Sequence, residues 1–141
     1  MRISTKGRYG LAVMLTIAKA KGSVTAVQVS KELNISKIYL EQVFSALKNA
    51  SLLLSTKGAN GGYTLPCEPK DIVITQILKA TESTLFEKTE NSTTTATNIE
   101  AVLQNTIWSP FSVAITTFLD KITLQTLLDN LNKSDDYMFY I

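Results

Sequence analysis

The chain has no histidine and a single cysteine, Cys67, among 141 residues. A disulfide framework within the chain is excluded, as is a zinc site of the usual Cys/His type. Catalysis is poorly served too. No imidazole can act as a base, and Cys67 follows Pro66 with no partner base in view, which leaves it a structural or incidental thiol. Long apolar runs are also missing. "YGLAVMLTIA" is too short to cross a bilayer and is followed at once by lysines; no secretory leader is visible, so a cytoplasmic location is expected, with no membrane partner. Charged residues make up only 18% of the chain and the net charge is +2, so the whole-chain charge says little about partners.

The distribution of charge says more. Residues 1–66 carry nine Lys/Arg against two acids, a net of +7, whereas residues 67–141 carry five against ten, a net of −5. A basic first half joined to an acidic second half is the footprint expected of a polyanion-binding segment. Hydrophobic residues make up 45% of the chain, enough for one domain with a real core and a smaller appendage.

Periodicity organises the first half. A helix is expected from Thr5 to Lys21, capped by Ser4 and stopped by Gly22, with Leu11, Leu15 and Ala18 on one face. Thr25 and Gln28 have capping-box spacing for a short second helix bearing Ala26, Val29 and Leu33. After Asn34-Ile35, Ser36 can cap a third helix to about Lys48, where Leu40, Val43, Phe44 and Leu47 stand at i, i+3, i+4 and i+7. "SLLLS" and "GYTL" then read as a hairpin around a glycine loop. This order is that of a winged helix-turn-helix domain, residues 1–66.

The second half, residues 67–141, reads as a linking helix over Ile74 to Ala80, a polar connection over residues 83–98, and a turn or two of helix from Ile99 to Gln104. Ser109-Pro110 has the form of a helix start. The helix beyond it carries Phe111, Ala114, Ile115, Phe118, Leu119 and Ile122, a stripe too wide for this chain to cover alone; a partner subunit would cover it. Thr123 can cap a last helix bearing Leu124, Leu127, Leu128 and Leu131. The tail, "YMFYI", is apolar and expected to dock. The fold class expected is mostly α with a small β-hairpin: a winged helix-turn-helix domain plus C-terminal dimerisation helices.

In a helix-turn-helix the second helix enters the major groove, N-terminus first. Lys37 is then placed for a phosphate, and Tyr39, Glu41 and Gln42 for base edges, since Gln pairs with adenine and Glu accepts from the cytosine amino group. Arg2, Lys6 and Arg8 are expected at phosphates. In "STKGANGGYTL", Lys57 precedes the glycines and a strand follows, so the spacing fits neither a Walker loop nor a dinucleotide fingerprint. The loop reads instead as a wing tip, with Lys57 and Asn60 toward DNA and Gly58, Gly61 and Gly62 allowing the turn and a close approach.

"MRISTKGRYGLAVMLTIA", "ISKIYLEQVFSALKNA" and "STKGANGGYTL" together resemble the BadM-like winged-helix regulators, the family containing the bacterial iron–sulfur cluster regulator and nitric-oxide-sensing repressors. The resemblance continues through "ILKATES", Trp108 and "FLDKITLQTLLDNL". It implies a homodimeric transcription factor that binds imperfect palindromes in double-stranded promoter DNA, with Trp108 and the helix after it in the dimer contact. It matches Arg2, Lys6, Arg8 and Tyr9 to the N-terminal signature, Ser36, Tyr39, Glu41 and Gln42 to the recognition helix, and Gly58, Gly61, Gly62 and Tyr63 to the wing. Cluster-binding members place three cysteines before the dimerisation helix, and none stands here from Leu85 to Trp108, so no cofactor and no metal are expected. The ending resembles the cluster-free branch that represses cysteine and sulfur metabolism genes and works with a cysteine synthase. A cluster-free regulator of another pathway, or an interaction module that has lost DNA binding, are the alternatives. Ser51 stands where the family commonly has glycine, unless the helix ends at Asn49; Val73 stands at a usual capping threonine, and Thr81 where an apolar residue is common.

Overall fold

A computed structural model of the chain describes residues 2–139, with side chains described for residues 2–136. The order is α1 (Thr5–Ala20), α2 (Ala26–Leu33), α3 (Lys37–Asn49), β1 (Leu54–Thr56), β2 (Gly62–Thr64), α4 (Ile74–Thr81), α5 (Thr97–Leu103), α6 (Ser109–Asp120) and α7 (Leu124–Phe139). The fold class is as expected, mostly helical with one antiparallel hairpin. The side chains of "YMFYI" lie outside the described residues.

Local rules account for the first half. Ser4 caps α1, its hydroxyl accepting from Gly7 N–H at 3.0 Å. Thr25 and Gln28 form both arms of the capping box of α2, at 3.1 and 2.8 Å. Three expectations need correction. The left-handed residue after α1 is Lys21 (φ 55°), one position before Gly22. Ser36 occupies the N-cap of α3 in extended geometry, but its hydroxyl makes no capping hydrogen bond. Of "SLLLS", Leu52 and Leu53 are buried ahead of the strand, and β1 begins only at Leu54. Asn49 remains helical, and Ser51 takes the left-handed conformation (φ 59°). Its N–H donates to Lys48 C=O, and Leu52 N–H donates to Leu47 C=O, both at 2.9 Å, a Schellman closure normally given to glycine.

One hydrophobic core gathers Met14 and Ile17 of α1, Val29 of α2, the four-residue stripe of α3, Ile77 of α4, and Leu124 and Leu128 of α7. The core therefore draws on both segments expected from sequence, 1–66 and 67–141. The departures at Val73 and Thr81 have local explanations. Val73 cannot supply a capping hydroxyl, but its extended backbone forms a β-bridge with Thr123. Ile74 N–H donates to Ile122 C=O at 2.9 Å and Leu124 N–H to Ile72 C=O at 2.8 Å. Thr81 is buried, donates its hydroxyl to Ile77 C=O at 2.9 Å, and packs on Gly10, where a Cβ would come within 2.7 Å of Thr81 Cγ2. Thr123 caps α7 as expected: Thr126 N–H donates to its hydroxyl at 3.1 Å.

The region from residue 83 to 120 is more ordered than expected. A 3₁₀ turn covers Ser83–Phe86, and α5 runs through a π-helical turn, Gln104–Trp108, into α6. Ser109-Pro110 is therefore not a helix start. Pro110 has no N–H to give the carbonyl four residues back and its ring crowds that carbonyl. The turn before it is widened, with Ser109 N–H donating to Gln104 C=O, five residues back. The polar connection is pinned by Gln104 Nε2, which donates to Thr89 C=O at 2.9 Å, and by Thr93 N–H, which donates to Glu100 Oε1 at 2.9 Å. No helix among the described residues is long and apolar enough to cross a membrane.

Candidate nucleic-acid interface

The helix-turn-helix is built by a short, tightly bonded turn. Asn34 adopts the left-handed conformation (φ 53°), which asparagine tolerates, and donates its N–H to Ser30 C=O. Ser30 returns its hydroxyl to Ile35 C=O at 2.7 Å, so one residue of α2 holds both sides of the corner. α3 then starts with Lys37, Ile38 and Tyr39 all exposed. Because Ser36 leaves the first turn without a side-chain acceptor, the amides there keep donors free for an anion.

The four core residues of α3 point one way, at 0–1% exposure. At 100° per residue, the opposite direction passes through Ile38, flanked by Gln42, Ser45 and Asn49, all exposed. Tyr39 lies on the edge toward α1, where it lines a cleft of about 390 Å³ with Thr5, Lys6, Tyr9 and Gln42. Glu41 lies on the other edge, lining a cleft of about 180 Å³ with Ser45, Lys48, Asn49 and Tyr63 of the wing. Gln42 thus sits on the outward face, and Tyr39 and Glu41 border it.

α1 brings Lys6 to the same side, where it shares the cleft with Tyr39 and Gln42. Arg2, Lys6 and Arg8 are exposed, and Arg8 Nη2 donates to Thr5 Oγ1 at 3.1 Å. Tyr9 is half-buried and packs on the core, with its edge in the cleft to α3. The start of α1 is held from elsewhere. Ser4 N–H donates to Glu82 Oε2, at the end of α4, at 2.7 Å. That carboxylate stands 2.9 Å from where a Cβ at position 7 would be, so Gly7 makes the room. Hydrogen bonds from Ser4, with a further one from Thr84, hold the Glu82 carboxyl below the usual carboxylate range.

The wing is anchored by Tyr63. Its ring stacks on Phe44 of α3 at 4.1 Å between centroids and 9° between planes. Its backbone pairs with Ser55 on one side and with Val24 on the other, at 2.7 and 3.0 Å. One tyrosine thereby fixes the hairpin to the recognition helix and to the segment before α2. Lys57 and Asn60 are exposed at the tip. Gly58 has φ 106° and open space around it. The close approaches at Gly61 and Gly62 are within the chain: a Cβ would come 2.6 Å from Thr56 C=O at the first and 2.6 Å from Ser23 Oγ at the second.

The dimerisation candidates divide. Phe111, Ala114 and Phe118 are exposed, and Trp108 and Ile115 half-buried. Leu119 and Ile122 instead pack against the core of their own chain, and Ile122 lies in the turn after α6. Sequence reasoning missed Ile38 and Glu82. It also missed Ile99, Val102 and Ile107, which continue the exposed apolar surface along α5 and the π turn at 46–62% exposure.

Comparison with known proteins gives this arrangement a family. Residues 3–130 match the Rrf2 family, described as iron-dependent transcriptional regulators. The chain is 35% identical to the HTH-type transcriptional regulator CymR of Bacillus subtilis (strain 168) over 144 residues, covering 100% of both chains. The solved structure of CymR (YrzC), the global cysteine regulator of B. subtilis, superposes with a TM-score of 0.77 over 92% of this chain and 98% of that one, at 32% identity. T. potens IscR superposes at 0.76, over 95% and 90%, at 30% identity. The donors present do not fit an iron centre of the thiolate type. Cys67 is the sole cysteine and is exposed, and among the described residues no three His, Cys, Asp or Glu side chains gather to hold a metal ion. By sequence, by helix-turn-helix and wing geometry, and by overall fold, the chain belongs to the Rrf2 family of transcriptional regulators.

Proposed function

We propose that the chain is a homodimeric, sequence-specific DNA-binding repressor of cysteine and sulfur metabolism genes, cytoplasmic and not an enzyme, acting on imperfect palindromes without a cluster. Residues 1–66 supply the DNA contacts and residues 67–141 the dimer contact. The observation that carries the reading is the outward face of α3, bordered by Lys6 of α1 on one edge and by a wing locked through the Tyr63–Phe44 stack on the other. Lys37, Arg2, Lys6, Arg8 and Lys57 meet phosphates, and Gln42, Tyr39 and Glu41 meet bases. Likeness to CymR supports the pathway, and a cysteine synthase is the partner protein this reading names.

Binding to operator duplexes, titrated with salt, tests the DNA reading. The logarithm of the affinity should fall linearly with the logarithm of salt concentration, by about 0.9 for each phosphate neutralised. An Arg8→Ala, Lys37→Ala double variant should weaken binding to all sequences alike and flatten the slope by about one unit for each phosphate it no longer neutralises. An affinity indifferent to salt, or to the double change, would count against it. Capture of a purified cysteine synthase by the full chain tests the partner separately.

A further inference from the structure

We propose that Ile38 reads the 5-methyl group of a thymine in the major groove, an inference that rests on the DNA-binding reading above. Ile38 is the most exposed large hydrophobic side chain among the described residues, at 73%. A lone exposed isoleucine elsewhere would call for no explanation. This one stands in the first turn of α3, opposite the buried stripe of Leu40, Val43, Phe44 and Leu47, at the end of the helix that leads into the groove. Its neighbours on that face, Gln42, Ser45 and Asn49, are polar.

The chemistry of the surroundings selects the occupant. Lys37 adjoins Ile38 in the chain, Lys6 stands on the α1 side of the face, and Lys48, with Glu41, on the wing side, leaving the rim net positive. A face with that rim attracts a polyanion, whereas its apolar centre can make neither a hydrogen bond nor a phosphate contact. In the major groove, thymine alone among the four bases offers an apolar group, its C5-methyl. An isoleucine at the leading end of the helix is complementary to that methyl, the largest apolar group the groove displays.

The test uses duplexes enriched by the wild-type full chain from a random-sequence library. Each thymine is replaced in turn by deoxyuridine, which removes the methyl and leaves the base pair intact. At one thymine per half-site the replacement should weaken wild-type binding about three- to fivefold, the factor expected from burying one methyl group. Ile38→Ala should abolish the thymine-over-uracil preference at that position, leaving the salt slope unchanged because no charge is removed. Ile38→Val should retain most of the preference. If wild type shows no such preference at any position, or if Ile38→Ala keeps it, the proposal is overturned while DNA binding stands. If no sequence is enriched, the DNA-binding reading falls and takes this inference with it.

Discussion

α3 and α6 carry the same pattern and meet opposite fates. Each places four apolar residues at i, i+3, i+4 and i+7: Leu40, Val43, Phe44 and Leu47 in one, Phe111, Ala114, Ile115 and Phe118 in the other. The first four are 0–1% exposed, whereas Phe111 and Phe118 are 53% and 64% exposed and α6 buries no residue fully. A helical stripe states that a face is made to be covered; it does not state by what. α3 is covered by α1, α2, α4 and the wing of its own chain. α6 packs against α4, tied at its end by the Thr75–Asp120 hydrogen bond, and leaves Phe111 and Phe118 exposed. A second copy of the chain is the cover proposed above.

Substitutions can break that contrast. Leu47→Ala should lower the stability of the chain by about 2–5 kcal/mol, seen as a lower urea midpoint at an unchanged slope. Phe111→Ala with Phe118→Ala should leave the core intact and act on association. If each phenylalanine is an interface anchor costing about 2 kcal/mol on truncation, the dimer dissociation constant rises by about a thousandfold or more. Sedimentation across a concentration series reads this directly. A double variant that unfolds like Leu47→Ala would erase the distinction between the two stripes.

Two smaller effects sharpen the α3 side. Ser51→Gly should stabilise the chain by up to about 1 kcal/mol, because serine holds φ 59° there at a cost glycine does not bear. A thermal midpoint unchanged or lowered would contradict it. Glu82→Gln should act through pH. The folded state holds the Glu82 carboxyl below its ordinary range, so the ionised group adds stability above that range and loses it as pH falls through the lowered folded value. Wild type should therefore exceed Glu82→Gln in urea midpoint at neutral pH, and the two should converge in acid. Divergence growing toward low pH would reverse the sign.

The helix-turn-helix was legible because its signals are local: helical periodicity, the Thr25–Gln28 box, and Asn34 at the corner. The hairpin was legible in kind, though β1 starts later than the apolar run because Leu52 and Leu53 are drawn into the core. Ser109-Pro110 misled because proline fits both a helix start and the turn beyond a π bulge, and only the upstream hydrogen bonds tell them apart. Glu82 was invisible because its partner Ser4 is 78 residues away. Ile38 is hard to read from sequence because an apolar residue on a helix signals a core and a polar one readout, and it is neither buried nor polar. Leu119 and Ile122, read with the dimer stripe, also pack against their own core. Periodicity joins them to Phe111 and Phe118, while Leu119 stands on the inner side of α6 and the turn after the helix brings Ile122 to the core.

If the outward face of α3 is for DNA and that of α6 for a second copy, both show in the stoichiometry on DNA. Sedimentation velocity with separate detection of protein and a labelled operator duplex measures it. Wild type should saturate at two chains per full operator, and the Phe111→Ala, Phe118→Ala variant should place one chain on a half-site duplex. One wild-type chain per full operator, or two chains of that variant on a half-site, would contradict the assignment of the two faces.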